Sequence, residues 1–156
     1  MKSDEIRQTG ETANAALRCQ SSPPHRILVV EDEPTIRKLN SEILVRHGYD
    51  VDAVEDGAVA WDTLQLKSYD LLITDNSMPK VTGIELIEKV RAAGMPLPVV
   101  MATATLPQEE FARRPWLKPA VTLVKPYTLA ELLAAVKNVL CAAVPTVMLL
   151  LNLGKL

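Results

Sequence analysis

Cysteine is scarce in this chain of 156 residues, which contains only Cys19 and Cys141. Two cysteines so far apart in the sequence fit neither a disulfide framework nor a zinc site. We therefore expect reduced thiols in a cytoplasmic protein. The N-terminus also has no apolar core of the length found in signal peptides, so export is not indicated.

Positive charge is not in excess, since the formal net charge is -2. This balance argues against a protein that binds a nucleic-acid backbone through its overall charge. No glycine-rich phosphate loop is present, which argues against a nucleotide or flavin carrier. The apolar segment near the C-terminus is too short for a membrane span and is interrupted by Pro145 and Asn152. We therefore expect no nucleic-acid partner and no membrane partner.

What the chain does contain is a regular alternation of short apolar runs and helical patterns. Hydrophobic residues make up 48% of the sequence, which is enough for a core. Helix signals follow the runs, among them Pro34 and the capping boxes Thr82/Glu85 and Thr128/Glu131. The predicted strands are 27–30, 51–54, 71–74, 99–102 and 122–124.

Five strands that alternate with helices predict an α/β fold, with a parallel sheet covered by helices on both faces. The doubly wound order 2-1-3-4-5, a flavodoxin-like three-layer sandwich, is the expected arrangement of five such units. We place this folded domain at residues 26–143. Residues 1–25 are polar and predict a flexible tail. Residues 144–156 form an apolar extension, which either packs on its own domain or docks on another protomer or a partner.

Polar side chains follow four of the five predicted strands. Glu31 and Asp32 follow the first strand, Asp75 the third, Thr103 the fourth and Lys125 the fifth. Open parallel sheets bind ligands beyond the carboxyl ends of the strands, where the strand order switches. In the order 2-1-3-4-5, the first and third strands are neighbours at that switch. The three carboxylates should therefore gather there, with a hydroxyl and an ammonium group beside them.

Three neighbouring carboxylates repel one another, so their charge needs compensation. Lys125 supplies one positive charge, and a divalent cation would supply two more, which balances the three acids. Oxygen ligands without sulfur favour a hard metal, and Mg²⁺ is the obvious candidate. Lys125 and Thr103 would then hold a phosphoryl group through an ammonium and a hydroxyl. These residues predict a site that handles phosphate with the help of Mg²⁺.

The same residues resemble the receiver domain of two-component response regulators, the CheY-like family. The resemblance extends from Arg26 to Cys141, and its motifs occur in the order of the family. Four motifs carry it: ILVVEDEP, LLITDNSMP, VVMATA and TLVKPY. The resemblance implies a CheY-like fold and a regulatory phosphoacceptor domain rather than an enzyme. Its only reactions would be phosphotransfer to itself and autodephosphorylation.

The resemblance also implies the phosphoryl chemistry of the site. Asp75 would be the phosphoacceptor, taking the phosphoryl group from a phosphohistidine of a sensor histidine kinase or a histidine phosphotransfer protein. Lys125 would hold a phosphoryl oxygen, and Thr103 would hydrogen-bond to the phosphoryl group on its arrival. The added charge would bias a conformational equilibrium. Output would pass through contacts with a downstream protein, and self-association into a homodimer is left open.

The resemblance further implies the ligands of the metal. Asp32 would bind Mg²⁺ directly, and Glu31 would assist through water. Asp75 and the backbone carbonyl of Ser77 would complete the set of protein ligands.

Two departures from the pattern of the family concern switching and lifetime. Many receiver domains carry Tyr or Phe three residues before the lysine, where this chain has Thr122. The usual aromatic switch is therefore missing. Ser77 and Thr105 stand at variable positions that, in the family, help to set the access of water to the phosphoryl group. The lifetime of the phosphorylated form depends on these two side chains.

Two other functions are alternatives. The first is a Mg²⁺-dependent phosphatase with an aspartyl-phosphate intermediate, as in haloacid-dehalogenase-type enzymes. The sequence EDE (31–33) matches their nucleophile motif only loosely, and no cap domain is available to hold a substrate. The second is a receiver-like binding module that takes no phosphate. The complete set of acidic, hydroxyl and lysine positions argues against it.

Overall fold

The computed structural model describes residues 23–142. The strands are β1 (Arg26–Val30), β2 (Asp50–Val54), β3 (Leu71–Asp75), β4 (Val99–Thr103) and β5 (Val121–Val124). The helices are α1 (Pro34–Arg46), α2 (Gly57–Leu66), α3 (Gly83–Ala92), α4 (Gln108–Arg113) and α5 (Leu129–Ala142), with a 3₁₀ turn at Pro115–Leu117. The predicted tail at 1–25, apart from 23–25, and the extension at 144–156 lie outside the described residues.

All five strands form one parallel sheet in the order β2-β1-β3-β4-β5, which confirms the predicted topology. β1 pairs with β2 on one side and with β3 on the other, so the order switches between β1 and β3. A crevice at such a switch opens at the carboxyl ends of the strands. The carboxyl ends of β1 and β3 therefore lie side by side at this crevice.

Two apolar layers cover the two faces of the sheet. In β1, Leu28 and Val30 belong to the layer that α2 and α3 complete, whereas Ile27 and Val29 belong to the layer beneath α1 and α5. All four side chains are buried, which explains why β1 is continuously apolar and does not alternate with polar residues. The sheet is thus held on both faces, and its carboxyl edge remains for chemistry.

Both predicted capping boxes are present. In the first, the Thr82 hydroxyl accepts the backbone N–H of Glu85 at 3.2 Å, and the Glu85 carboxylate accepts that of Thr82 at 2.8 Å. Thr128 and Glu131 form the equivalent pair of hydrogen bonds, at 3.1 and 2.6 Å. These contacts satisfy backbone donors that a helix N-terminus leaves without partners. They fix where α3 and α5 begin, directly after the loops that carry site residues.

Helical spacing in the sequence predicts inward-facing positions for Leu39 and Leu129, and Trp116 is expected to pack, but all three side chains are exposed to solvent. Leu39 in α1 is 48% exposed, Leu129 at the start of α5 is 39% exposed, and Trp116 is 62% exposed. In α1 the buried face contains Asn40 and Leu44. Consecutive residues of a helix point about 100° apart, so Leu39, next to Asn40, faces solvent. In the 3₁₀ turn, Leu117 is the buried residue and the neighbouring indole faces outward. No helix within residues 23–142 has the length and apolar character needed to cross a membrane.

Candidate functional site

Glu31, Asp32 and Asp75 meet at the carboxyl edge of the sheet. The first two directly follow β1, and Asp75 is the last residue of β3. One carboxylate oxygen from each residue lies within 4.8 Å of the other two. The prediction that strand order brings these acids together is therefore confirmed.

Lys125 reaches into this cluster from the loop after β5. Its Nζ lies 2.7 Å from Oδ2 of Asp75 and 3.4 Å from Oε2 of Glu31. The lysine side chain is only 23% exposed, so these contacts are partly shielded from water. Three acids and one ammonium group leave an excess of negative charge. A donor set made of carboxylate oxygens with excess negative charge fits a hard divalent cation.

Burial divides the three acids into two kinds. Glu31 and Asp75 are buried, whereas Asp32 is exposed. Burial raises the pKa of Glu31 above its usual value, and the Asp75 charge adds to this rise; the N–H of Glu33 and the Lys125 charge oppose it. Burial alone would lower the pKa of Lys125, but its contacts with the two buried acids raise it above its ordinary value. The lysine therefore stays charged while the buried acids compete for it.

The start of α1 fixes the loop that carries Glu31 and Asp32. Glu33 caps the helix by accepting the backbone N–H groups of Thr35 at 3.1 Å and Ile36 at 2.7 Å. One turn later, Nη1 of Arg37 donates to the carbonyl oxygen of Glu31 at 2.8 Å. Sequence reasoning missed this arginine, because a contact with a backbone carbonyl six residues earlier leaves no spacing signal in the sequence.

The loop after β3 packs closely around Asp75. The backbone N–H of Ser77 donates to Oδ1 of Asp75 at 3.1 Å. Gly83 opens α3, and a Cβ added there would lie 2.5 Å from the carbonyl oxygen of Asp75. Lys80 adopts a positive φ of 66° and extends its Nζ to Asp56 at 2.9 Å. The backbone next to the third acid is therefore held by a close approach that only glycine allows.

Thr103 ends β4 beside the strand that carries Asp75. The register pairs Asp75 with Ala102, so the next residue along β4 lies at the edge of the site. The Thr103 hydroxyl donates to the carbonyl oxygen of Thr105 at 2.8 Å and accepts the N–H of the same residue at 3.3 Å. The hydroxyl is buried and engaged within its own loop. Contact with a phosphoryl group would require it to exchange this partner.

Comparison with known families decides what kind of domain carries this site. A family model of the response regulator receiver domain matches residues 27–137. The chain belongs to the response regulator receiver domain family. Response regulator RppA of Synechocystis sp. is 40% identical over 114 residues, which cover 72% of this chain and 49% of RppA. The chain spans half or less of the length of the curated relatives it matches.

Solved receiver structures share the fold of this domain. Chemotaxis response regulator CheY4 of Vibrio cholerae aligns with a TM-score of 0.68 and 30% identity, covering 74% of this chain and 98% of that one. Response regulator TrrA of Thermotoga maritima, solved in complex with Mg²⁺–BeF, aligns with a TM-score of 0.65 and 33% identity over 74% of this chain and 98% of that one. The predicted CheY-like fold is therefore confirmed.

Family membership gives the domain its general role. It is a receiver domain of a two-component signalling system, a regulatory phosphoacceptor domain rather than a classical enzyme. Thr122, at the position where many receiver domains carry an aromatic switch residue, lies half-buried in the edge strand β5. Tyr127, to which the sequence analysis assigned no role, is the last residue of the TLVKPY motif and accepts a hydrogen bond from the buried Asn40.

Proposed function

We propose that this receiver domain accepts a phosphoryl group on Asp75 from a phosphohistidine of a sensor histidine kinase or a histidine phosphotransfer protein. The observation that carries the proposal is the 2.7 Å contact between Lys125 and Asp75, within a cluster of three acids. A carboxylate oxygen of Asp75 attacks phosphorus, and the bond between phosphorus and the histidine nitrogen breaks. The imidazole leaves with the bonding electrons and takes up a proton. Asp75 becomes an aspartyl phosphate.

Asp32, Glu31, Asp75 and the backbone carbonyl of Ser77 would hold Mg²⁺. The excess of carboxylate over ammonium charge supports this assignment. When bound, the cation supplies charge neutralisation for the approach of an anionic phosphoryl group to an anionic nucleophile. TrrA, a relative of this chain, was solved in complex with Mg²⁺–BeF, which supports Mg²⁺ as the cation of this site.

Lys125 and Thr103 complete the proposed phosphoryl site. Lys125 already lies against the nucleophile and needs only to transfer one hydrogen bond from Asp75 to a phosphoryl oxygen. Thr103 gives up its contact with Thr105 to bind a second oxygen. This exchange moves the loop after β4, and the added charge of the phosphoryl group drives it. The moved surface then contacts a downstream protein or a second copy of the domain.

Autodephosphorylation would return the domain to its unphosphorylated state. Ser77 and Thr105 lie exposed on the loops after β3 and β4, next to Asp75 and Thr103, where their side chains would set the access of an attacking water. We place this signalling cycle in the cytoplasm, where the kinase presents its phosphohistidine.

Acetyl phosphate tests the chemistry without a partner. The protein is incubated with Mg²⁺ and acetyl phosphate, and its intact mass is measured. We expect one phosphoryl group on the wild type, and none on Asp75→Asn or in the presence of EDTA. Asp56→Asn is the matched control, because Asp56 is also a buried aspartate that contacts a lysine, and asparagine can still cap α2. Uptake by Asp75→Asn would refute the assignment.

A further inference from the structure

Asn40 is a buried polar side chain in the interior of a helix. It is 3% exposed and lies in the middle of α1, where apolar residues would be expected. The other buried polar residues among positions 23–142 lie in strands, in loops or at a helix cap. A buried amide costs free energy unless it is hydrogen-bonded, so its partner is informative.

The partner of Asn40 is Tyr127, 87 positions later in the sequence. Nδ2 of Asn40 donates to Oη of Tyr127 at 2.9 Å. Tyr127 lies two residues after Lys125, in the loop between β5 and α5. Burial raises the pKa of this phenol above its usual value, and the hydrogen bond from Asn40 opposes the rise. The bond ties the middle of α1 to the loop that carries Lys125.

The hydrogen bond joins the two elements that carry the opposite charges of the site. α1 holds the acidic loop, because Arg37 from its second turn donates to the carbonyl oxygen of Glu31 at 2.8 Å. The loop after β5 carries Lys125, whose Nζ reaches both Glu31 and Asp75. The contact between Asn40 and Tyr127 is a second connection between α1 and this loop, made through neutral groups.

A neutral buried hydrogen bond contributes little net free energy of folding, but it strongly restricts the relative placement of the two groups that it joins. Replacing both partners by apolar groups of similar shape can leave the stability of a fold nearly unchanged. Placement of reacting groups is more sensitive, since a displacement of 1 Å can cost about a hundredfold in rate. The pair is thus better suited to setting geometry than to holding the fold together.

We infer that Asn40 and Tyr127 are positioning residues that set the place of the Lys125 ammonium group between Glu31 and Asp75. The inference rests on the proposed function, because Lys125 must meet a phosphoryl oxygen at a fixed position. Without the bond, the loop after β5 moves relative to α1, and the lysine no longer spans both acids. Phosphorylation of Asp75 slows, although neither of the two replaced side chains hydrogen-bonds to Asp75.

The test compares Asn40→Leu, Tyr127→Phe and the double variant. Rate constants for phosphorylation by acetyl phosphate are measured at saturating Mg²⁺, at a temperature well below each Tm. We expect each single variant to lose about tenfold in rate, as a displacement of a fraction of an ångström implies. The double variant should regain thermal stability while its rate stays as low as that of either single variant. Tyr69→Phe is the matched control. Tyr69 lies just before β3, and its hydroxyl donates to Asp52 of β2, so this substitution removes a phenolic hydrogen bond that involves neither α1 nor the loop after β5.

Two results would overturn the inference. One is an unchanged rate in the single variants. The other is a rate that recovers with stability in the double variant, which is what a purely structural pair produces. A second readout does not depend on phosphorylation: NMR detection of the Lys125 ammonium protons at fixed pH. We expect their slow exchange with water to be lost in all three variants and kept in Tyr69→Phe. If the wild type takes no phosphoryl group, the proposed function fails, and this signal still decides the inference.

Discussion

Asp56 and Asp75 are two buried aspartates that each contact a lysine, yet their surroundings differ. Asp56 follows β2 and lies 2.9 Å from Lys80, and Asp75 ends β3 and lies 2.7 Å from Lys125. Oδ1 of Asp56 also accepts two backbone N–H groups at the start of α2, both at 2.9 Å. The pKa of Asp56 lies below its usual value, because the carboxylate accepts hydrogen bonds from the backbone N–H of Val59, which has the largest effect, and from Lys80.

Asp75 has no such set of satisfied contacts among the described residues. It accepts one backbone N–H, that of Ser77, and shares its lysine with Glu31. Two further acids lie within 4.8 Å of it. A carboxylate held by three hydrogen-bond donors at the start of a helix serves structure, whereas one surrounded by repelling acids gains from a cation. The contrast teaches that burial and a lysine partner alone do not identify a reactive acid.

The largest expected effect comes from substituting the two glycines that pack closely beside the two aspartates, Gly83 near Asp75 and Gly57 next to Asp56. A Cβ at Gly83 would lie 2.5 Å from the carbonyl oxygen of Asp75, and one at Gly57 would lie 2.5 Å from that of Val81. Because backbone must move in both cases, each alanine variant should lose about 1–3 kcal/mol of unfolding free energy in urea. Only Gly83→Ala should also abolish phosphate uptake. Normal uptake by Gly83→Ala would show that the backbone of Asp75 tolerates displacement.

The next effect separates the two aspartates by stability. Asp56→Ala removes a helix cap and should lower Tm by roughly 3–6 °C at neutral pH. Asp75→Ala relieves repulsion between acids, so its Tm should be unchanged or higher. Because the folded pKa of Asp56 is depressed, its contribution is present above its ordinary pKa of 3.8 and disappears as pH falls through the folded value. Melting curves of the wild type and Asp56→Ala should therefore converge in acid.

Mg²⁺ should raise the Tm of the wild type by a few degrees, because only the folded state assembles the three acids. Asp56→Asn should respond as the wild type does, and Asp75→Asn should respond less at every concentration. Calorimetric scans at increasing Mg²⁺ measure both. Equal responses from the two variants would contradict the metal assignment.

A smaller effect should follow from neutralising Glu31 in the presence of EDTA. Its folded pKa is raised, so the stability it contributes is present below its ordinary pKa of 4.5 and lost as pH rises through the folded value. Glu31→Gln should therefore melt above the wild type at neutral pH, and the difference should vanish towards pH 4. A variant that melts lower at neutral pH would show that the contact with Lys125 outweighs desolvation.

The smallest effect should come from Lys80. Its side chain is 65% exposed, and exposed ion pairs contribute little to stability. Lys80→Met should shift Tm by less than about 2 °C, since Asp56 retains its two backbone donors. Lys125→Met should instead eliminate measurable phosphate uptake. Loss of uptake in Lys80→Met would mean that the two lysines are not as different as their exposures indicate.

Local signals predicted most of the fold and the membership of the site. The apolar runs located all five strands, and the capping boxes located the starts of α3 and α5. The predicted strand order also brings Glu31, Asp32 and Asp75 together, as the structure shows. The strands and helix starts depend on short-range signals that can be read in the sequence, and the strand order follows from the general rules for connecting parallel strands.

Contacts across long sequence separations were not predicted. The bond between Asn40 and Tyr127 depends on the rotational phase of α1, for which the apolar pattern predicted burial of Leu39, whereas the structure buries Asn40. The contact of Lys80 with Asp56 depends on a positive φ in a loop, which a lysine does not signal. Both require the packed structure.

The most direct measurement locates the phosphoryl group. The protein is phosphorylated with acetyl phosphate and Mg²⁺, reduced with borohydride to convert the acyl phosphate into homoserine, and mapped by peptide mass spectrometry. The account predicts homoserine at position 75 and unmodified aspartate at position 56 and position 32. Homoserine at either of those two positions, with position 75 unmodified, would contradict it.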